Sequence, residues 1–163
     1  MYRNFVLVLF TVFFHSISSA QHVTVNQMDV SWSFKDNVIT FKASAPDDGW
    51  IALGFNTKDD IVGSNLIMVN VIDGTVNSED LFVVGVGNPK PVSQLGSQSQ
   101  VIEASGRESS EKTWVSFSLP TNAFDKYHMD LKKGEKIWLI CAFSMEDEFD
   151  HHSRMRKHVE VEL

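Results

Sequence analysis

The chain has 163 residues, 43% of them hydrophobic and 21% charged, and its 14 basic against 21 acidic side chains give a net charge of −7. That balance argues against nucleic acid or an anionic membrane surface as the main partner and favours a neutral or cationic ligand, a carbohydrate, or a cofactor held by packing. The single cysteine, Cys141, cannot close an intramolecular disulfide and reads as a small buried core residue.

Residues 1–20, MYRNFVLVLFTVFFHSISSA, carry one charge, Arg3, ahead of an apolar run from Phe5 to Phe14 and end on the small residues Ser18 and Ala20. This is the pattern of a secretory signal cleaved before Gln21, and an apolar core of about ten residues is too short to span a bilayer. Residues 21–163 are then expected as one soluble domain without a membrane span, periplasmic or fully secreted. Without Arg3 it has 13 basic and 21 acidic residues, a net charge of −8. His22 falls beside the new terminus and is expected in a mobile end.

After the signal, period-two alternation dominates. MDVSWSF places Met28, Val30, Trp32 and Phe34 on one face, and VITFKASA does the same with Ile39, Phe41 and Ala43 across the turn KDN. WIALGFN and SNLIMVNVIDG are apolar on both faces, as central strands are, and Asp73-Gly74 closes the second with a tight-hairpin signal. SEDLFVVG, SQVIEASG, KTWVSFSL, KIWLICAFS and HVEVEL follow. The only helix expected is short, in PTNAFDKYHMDL, opened by Pro120 and Thr121. About nine short strands with turn signals roughly every ten residues predict an all-β antiparallel sandwich or barrel.

The histidines gather near the C-terminus. His151 and His152 follow the acidic run Glu146, Asp147, Glu148 and Asp150, and His158 sits in the last strand. Such a loop has donors for Zn²⁺ or Ca²⁺, but adjacent carboxylates on one turn rarely converge on an ion, so a solvated acidic loop is the simpler reading. Strand parity sends Val159, Val161 and Leu163 inward, and places His128 and His158 at the surface. Arg154 and Arg156 lie on one face with Glu160 and Glu162, which suits exposed pairing. Their guanidinium forks equally suit a carboxylate ligand. Trp50 is expected to pack between the sheets, and is a candidate wall for a ligand pocket. No G-x-S-x-G elbow occurs, and Asp47-Asp48 and Asp59-Asp60 belong to turns rather than to facing walls of a cleft, so an enzyme is not expected.

GWIALGFNTKDDIVGSNLIMVNVIDG, residues 49–74, has a Gly-Trp-aliphatic strand ending in Gly-Phe-Asn, a Gly-Ser pair opening a second apolar strand, and a closing Asp-Gly. With GNPKPV in a later loop, TWVSFSLP, and KIWLICAFSMEDEFDHHSRMR, the order resembles the DOMON domain from about Asp29 onward. The resemblance implies an immunoglobulin-like β-sandwich that binds haem or sugars. In its cytochrome branch a haem b is held by a methionine from the loop before the Gly-Ser strand and a histidine near the C-terminus, and electrons pass to a partner oxidoreductase. Carried onto this chain, the histidine is His152 or His151, while the methionine position is taken by Ile61, which cannot ligate iron. Met68 is the nearest substitute, and Met145 or Met155 could reach from the C-terminal side. Two functions therefore stand side by side: a haem b-binding module transferring electrons, and a haem-free module that binds carbohydrate or another protein.

Overall fold

The computed structural model describes residues 21–163; the expected signal segment, residues 1–20, lies outside the described residues. Alternating side chains resolve into strands β1 (Gln21–Val25), β2 (Met28–Lys35), β3 (Val38–Pro46), β4 (Ile51–Asn56), β5 (Asn65–Ile72) and β6 (Thr75–Gly85). They continue as β7 (Asn88–Pro91), β8 (Glu103–Ser109), β9 (Lys112–Pro120), β10 (Lys136–Phe143) and β11 (Met155–Glu162). Two antiparallel sheets form the sandwich, β1-β2-β3-β9-β8 and β11-β10-β4-β5-β6-β7.

Two of the eleven strands were not expected. QHVTV forms β1, paired with β2 from Gln21↔Trp32 to Val25↔Met28. It is tied at its first residue, where the Trp32 indole donates to Gln21 Oε1 at 2.7 Å and Gln21 Nε2 donates to the Glu162 carbonyl at 2.9 Å. His22 therefore lies in a strand instead of a mobile end. NPKP forms β7 against β6 despite its two prolines. The strand lies at a sheet edge, where a missing N–H costs no ladder bond.

The expected short helix is also absent. Pro120 ends β9, and residues 121–131 run as successive turns and bends; among the described residues the only helical turn is a short 3₁₀ turn at Val92–Leu95. Asp side chains capture the N–H groups a helix would need: Asp130 Oδ1 accepts from Ala123 at 2.8 Å and Asp125 Oδ1 from Tyr127 at 2.9 Å. His128, expected at the surface, is instead buried. Its Nδ1 lies 2.9 Å from Asp125 Oδ1 and its Nε2 3.3 Å from Asp80 Oδ2, clasping this segment to β6. Burial alone would push the Asp125 carboxyl up, but bonds from Ser97, the Tyr127 N–H and His128 together hold it below the usual carboxylate range.

Between the sheets lies one apolar core. Phe41 sits at its centre, 4.9 Å ring-to-ring from Phe55 in the facing sheet and 5.7 Å from Phe117 beside it. Cys141 is fully buried there, and burial pushes its thiol up to about 12, so it stays protonated and unreactive. Val161 and Leu163 point into this core as parity predicts. Gly106 lets β8 pass close to β5 of the facing sheet, because a Cβ there would lie 2.8 Å from the Val71 side chain and 2.9 Å from the Trp114 carbonyl.

Candidate functional site

Outer faces of antiparallel sandwiches are ordinarily polar. The six-stranded sheet departs from this, because β4 and β5 are buried on both faces. Ala52, Leu66, Met68, Leu81, Val83 and Ala142 form a second apolar cluster on its outside, joined by Trp50 and flanked by Ile61 and Phe149. The sequence marked these strands as central, but the cover over their outer face comes from loops, whose placement no periodicity announces.

Two loops rise over this face from opposite ends of β4. The first, residues 57–64, follows β4 and is braced throughout. Asn56 Nδ2 donates to the Asp60 carbonyl at 2.6 Å, Val62 N–H to Asp60 Oδ1 at 2.9 Å, and the Ile61 carbonyl accepts from both the N–H and the hydroxyl of Ser64. The Val62 N–H, followed by Lys58, holds the Asp60 carboxyl below its ordinary range. His158, expected at the surface, has its Nδ1 2.8 Å from Asp59 Oδ1, which accepts from it, and so anchors the same loop to β11. Ile61 is thereby fixed as a wall.

The second loop, residues 144–154, joins β10 to β11 and carries the paired histidines. Its base is an extension of the β4–β10 ladder: Trp50 N–H donates to the Glu146 carbonyl at 3.1 Å and Ser144 N–H to the Trp50 carbonyl at 3.0 Å. Gly49 makes this possible, since a Cβ there would stand 2.5 Å from both the Glu146 nitrogen and the Ser144 oxygen. The Ser144 hydroxyl then donates to the His152 carbonyl at 3.1 Å, and Asn70 Nδ2 to the Asp147 carbonyl at 2.8 Å.

Between the loops is a cavity of about 400 Å³ whose floor is Ala52, Met68, Ile140 and Ala142. Ile61, Leu66 and Val83 line one side; His151, His152 and Arg156 line the other, with Phe149 alongside. Both histidines are exposed. Trp50 does not pack between the sheets: it lies in this outer cavity, only 4% exposed, and its indole N–H has no partner among the described residues. An orphaned buried donor in an apolar cradle is a place for an acceptor on a ligand. Of the other sequence candidates, Arg154 lies outside the cavity, with its Nη1 2.6 Å from Asp47 Oδ2. Met145 is exposed and Met155 packs toward the inner core, so neither reaches the cavity. Met68 does, but as part of the floor. Small Ala52 and Ala142, directly paired across β4 and β10, clear the space, and sequence reading passed over both.

At the foot of the histidine loop, carboxylates crowd. Burial raises the Glu108 carboxyl and Asp147, Asp48 and Asp73 raise it further; Asp147 is raised by burial and then by Asp48, Glu148, Glu146 and Asp73. One oxygen of each is buried without a hydrogen-bond partner among the described residues. No three His, Cys, Asp or Glu side chains among the described residues converge to hold a metal ion. A carboxyl whose folded pKa exceeds its unfolded value favours the folded state below the unfolded pKa, and that contribution disappears as pH rises through the folded value. Glu108→Gln should therefore raise the Tm at pH 7 by roughly 2–4 °C, with the gain shrinking toward pH 4. Thermal melts by circular dichroism across that range check it, and a pH-independent shift would contradict the assignment.

The family model for the DOMON domain matches residues 24–144. The chain belongs to the DOMON domain family. The matched residues include Ile61 and stop at Ser144, where the histidine loop begins. No curated protein matches the chain in sequence. Solved structures with a similar fold include two cytochrome domains. The cytochrome b domain of pyranose dehydrogenase from Coprinopsis cinerea aligns with a TM-score of 0.65 at 9% identity, covering 89% of this chain and 81% of that one. The cytochrome domain of Myriococcum thermophilum cellobiose dehydrogenase aligns at 0.60 and 11% identity, covering 88% and 81%. Among the described residues, no helix of this DOMON chain is long and apolar enough to cross a membrane.

Proposed function

We propose that this DOMON domain is an exported haem b-binding module that passes single electrons to and from a partner oxidoreductase. The observation that carries the reading is the apolar cradle on the outer sheet face, with histidines on its rim and an unpartnered indole N–H inside. The residues present suit haem: hydrocarbon to exclude water from the ring, an imidazole to hold the iron, and cationic and N–H groups for the propionates. Resemblance to two cytochrome domains supports the same reading, and residues 1–20 support export.

His152 is assigned as the iron ligand, because Ser144 fixes its backbone. Arg156 lies on the cavity rim and has no carboxylate partner within 4 Å among the described residues, so its guanidinium is free to pair with a propionate. Ala52, Ala142, Leu66 and Val83 would keep water from the ring, and Trp50 Nε1 would supply a hydrogen bond. Bound haem would contribute a one-electron couple, which the protein tunes through burial and the axial imidazole.

Haemin titration of residues 21–163 followed at the Soret band tests this. A saturable band that His152→Ala abolishes and His151→Ala retains is expected, and retention in both variants would remove the loop from the site. A haem-free carbohydrate-binding module is the second reading. A groove of about 410 Å³ on the outside of the five-stranded sheet favours it, lined by Ser31, Ser44, Ser105, Ser116 and Trp114. Glycan binding by a protein that takes up no haemin would select it.

A further inference from the structure

Resting on the haem reading, we infer that the site leaves one axial face of the iron open to a small exogenous ligand of the carbon monoxide or nitric oxide class. The two loops that frame the cavity come from opposite ends of β4, so Ile61, Leu66 and Val83 line the side away from the histidine rim, where a second ligand to a histidine-held iron would have to come from. None of these three side chains has a lone pair to give a metal. The wall is also rigid: the Ile61 carbonyl takes two bonds from Ser64, Asn56 and Asp60 brace the turn before it, and Gly63 N–H donates to Val83 at 2.8 Å.

Among the described residues, Met68 supplies the only sulfur lining the cavity. It is 5% exposed and packs in the floor on β5, directly paired with Ala52, rather than on the wall opposite the histidines. His151 and His152 are consecutive and share one rim, which prevents them from bracketing a single iron from both sides. An apolar wall that excludes water and offers no ligand favours small, weakly polar molecules over anions. The consequence separates this chain from an electron carrier with both axial positions filled: its ferrous form binds a diatomic gas directly.

The test uses residues 21–163 loaded with haemin, reduced with dithionite and exposed to carbon monoxide, read by absorption spectroscopy. A five-coordinate ferrous spectrum that converts to a carbonyl complex is expected. Ile61→Met should give a six-coordinate low-spin spectrum and weaken carbon monoxide binding by about tenfold or more, as a thioether fills the open face. Circular dichroism of the Ile61 variant shows whether it has folded, and the wild-type spectrum decides the inference independently of it. A wild-type low-spin ferrous spectrum insensitive to carbon monoxide would overturn the inference while leaving haem binding intact. Failure to take up haemin would overturn the haem reading and the inference with it.

Discussion

Gly49→Ala should cost about 3 kcal/mol of stability, equivalent to roughly 10 °C in Tm, and should disorganise the histidine loop at the same time. The reason is that every atom in the way is backbone. An added Cβ would meet the Glu146 nitrogen and the Ser144 carbonyl at 2.5 Å and the Glu146 carbonyl at 2.7 Å, none of which can rotate aside as a side chain can. Relief requires parting residues 144–146 from residues 49–50. That breaks the Trp50 to Glu146 and Ser144 to Trp50 hydrogen bonds and loosens the Ser144 hydroxyl from His152. Thermal melting measures the first effect. Amide hydrogen exchange measures the second, with protection lost at Trp50 and Ser144 and kept in β2 and β3. An alanine variant that melts with the wild type would mean the loop has room to shift, and its rigidity would no longer support a fixed site.

Filling the cavity should remove ligand binding without removing the fold. Ala142 is 5% exposed on β10, pairs with Ala52 on one side and Arg156 on the other, and belongs to the outer cluster, so a larger side chain there grows into the cavity and away from the inner core. Ala142→Trp is expected to lower haemin affinity by about a hundredfold or more, the effect of occluding a shaped apolar pocket. The Tm should change by only a few degrees, because the added ring occupies space that Ala52 and Ala142 leave open. Haemin affinity equal to wild type in a folded Ala142→Trp protein would place the ligand elsewhere.

The inner core was legible because its code is simple. Met28, Val30 and Trp32 against Ile39, Phe41 and Ala43 alternate without interruption, and the structure buries all six. The Asp73-Gly74 turn was equally plain, with both residues at positive φ of 50° and 75°. The missed strands fail for identifiable reasons. β7 carries prolines that penalise any strand assignment except at an edge, and β1 follows the expected signal segment, where a frayed end is the default. His128 misled because its acidic neighbours imply solvent. Its actual partner, Asp80, lies 48 residues away in sequence and is fully buried with it.

For the site, sequence reading found the histidines, Met68, Trp50 and Arg156, which the fold brings to one cavity, and Arg154, which it does not. It also noted Ile61 as the departure from the methionine pattern. What it lacked was the outer face itself. Ala52, Leu66, Val83 and Ala142 look like ordinary residues of central strands until the topology shows that nothing stacks on that side except two loops.

The measurement that addresses the central claim most directly is a haemin titration of residues 21–163 followed by quenching of Trp50 fluorescence, with the other three tryptophans replaced by phenylalanine and folding verified by circular dichroism. Saturable quenching at one haemin per chain, with a matching Soret band, is predicted, since Trp50 lines the proposed seat. Haemin uptake that leaves Trp50 emission unquenched, or no uptake at all, would contradict it.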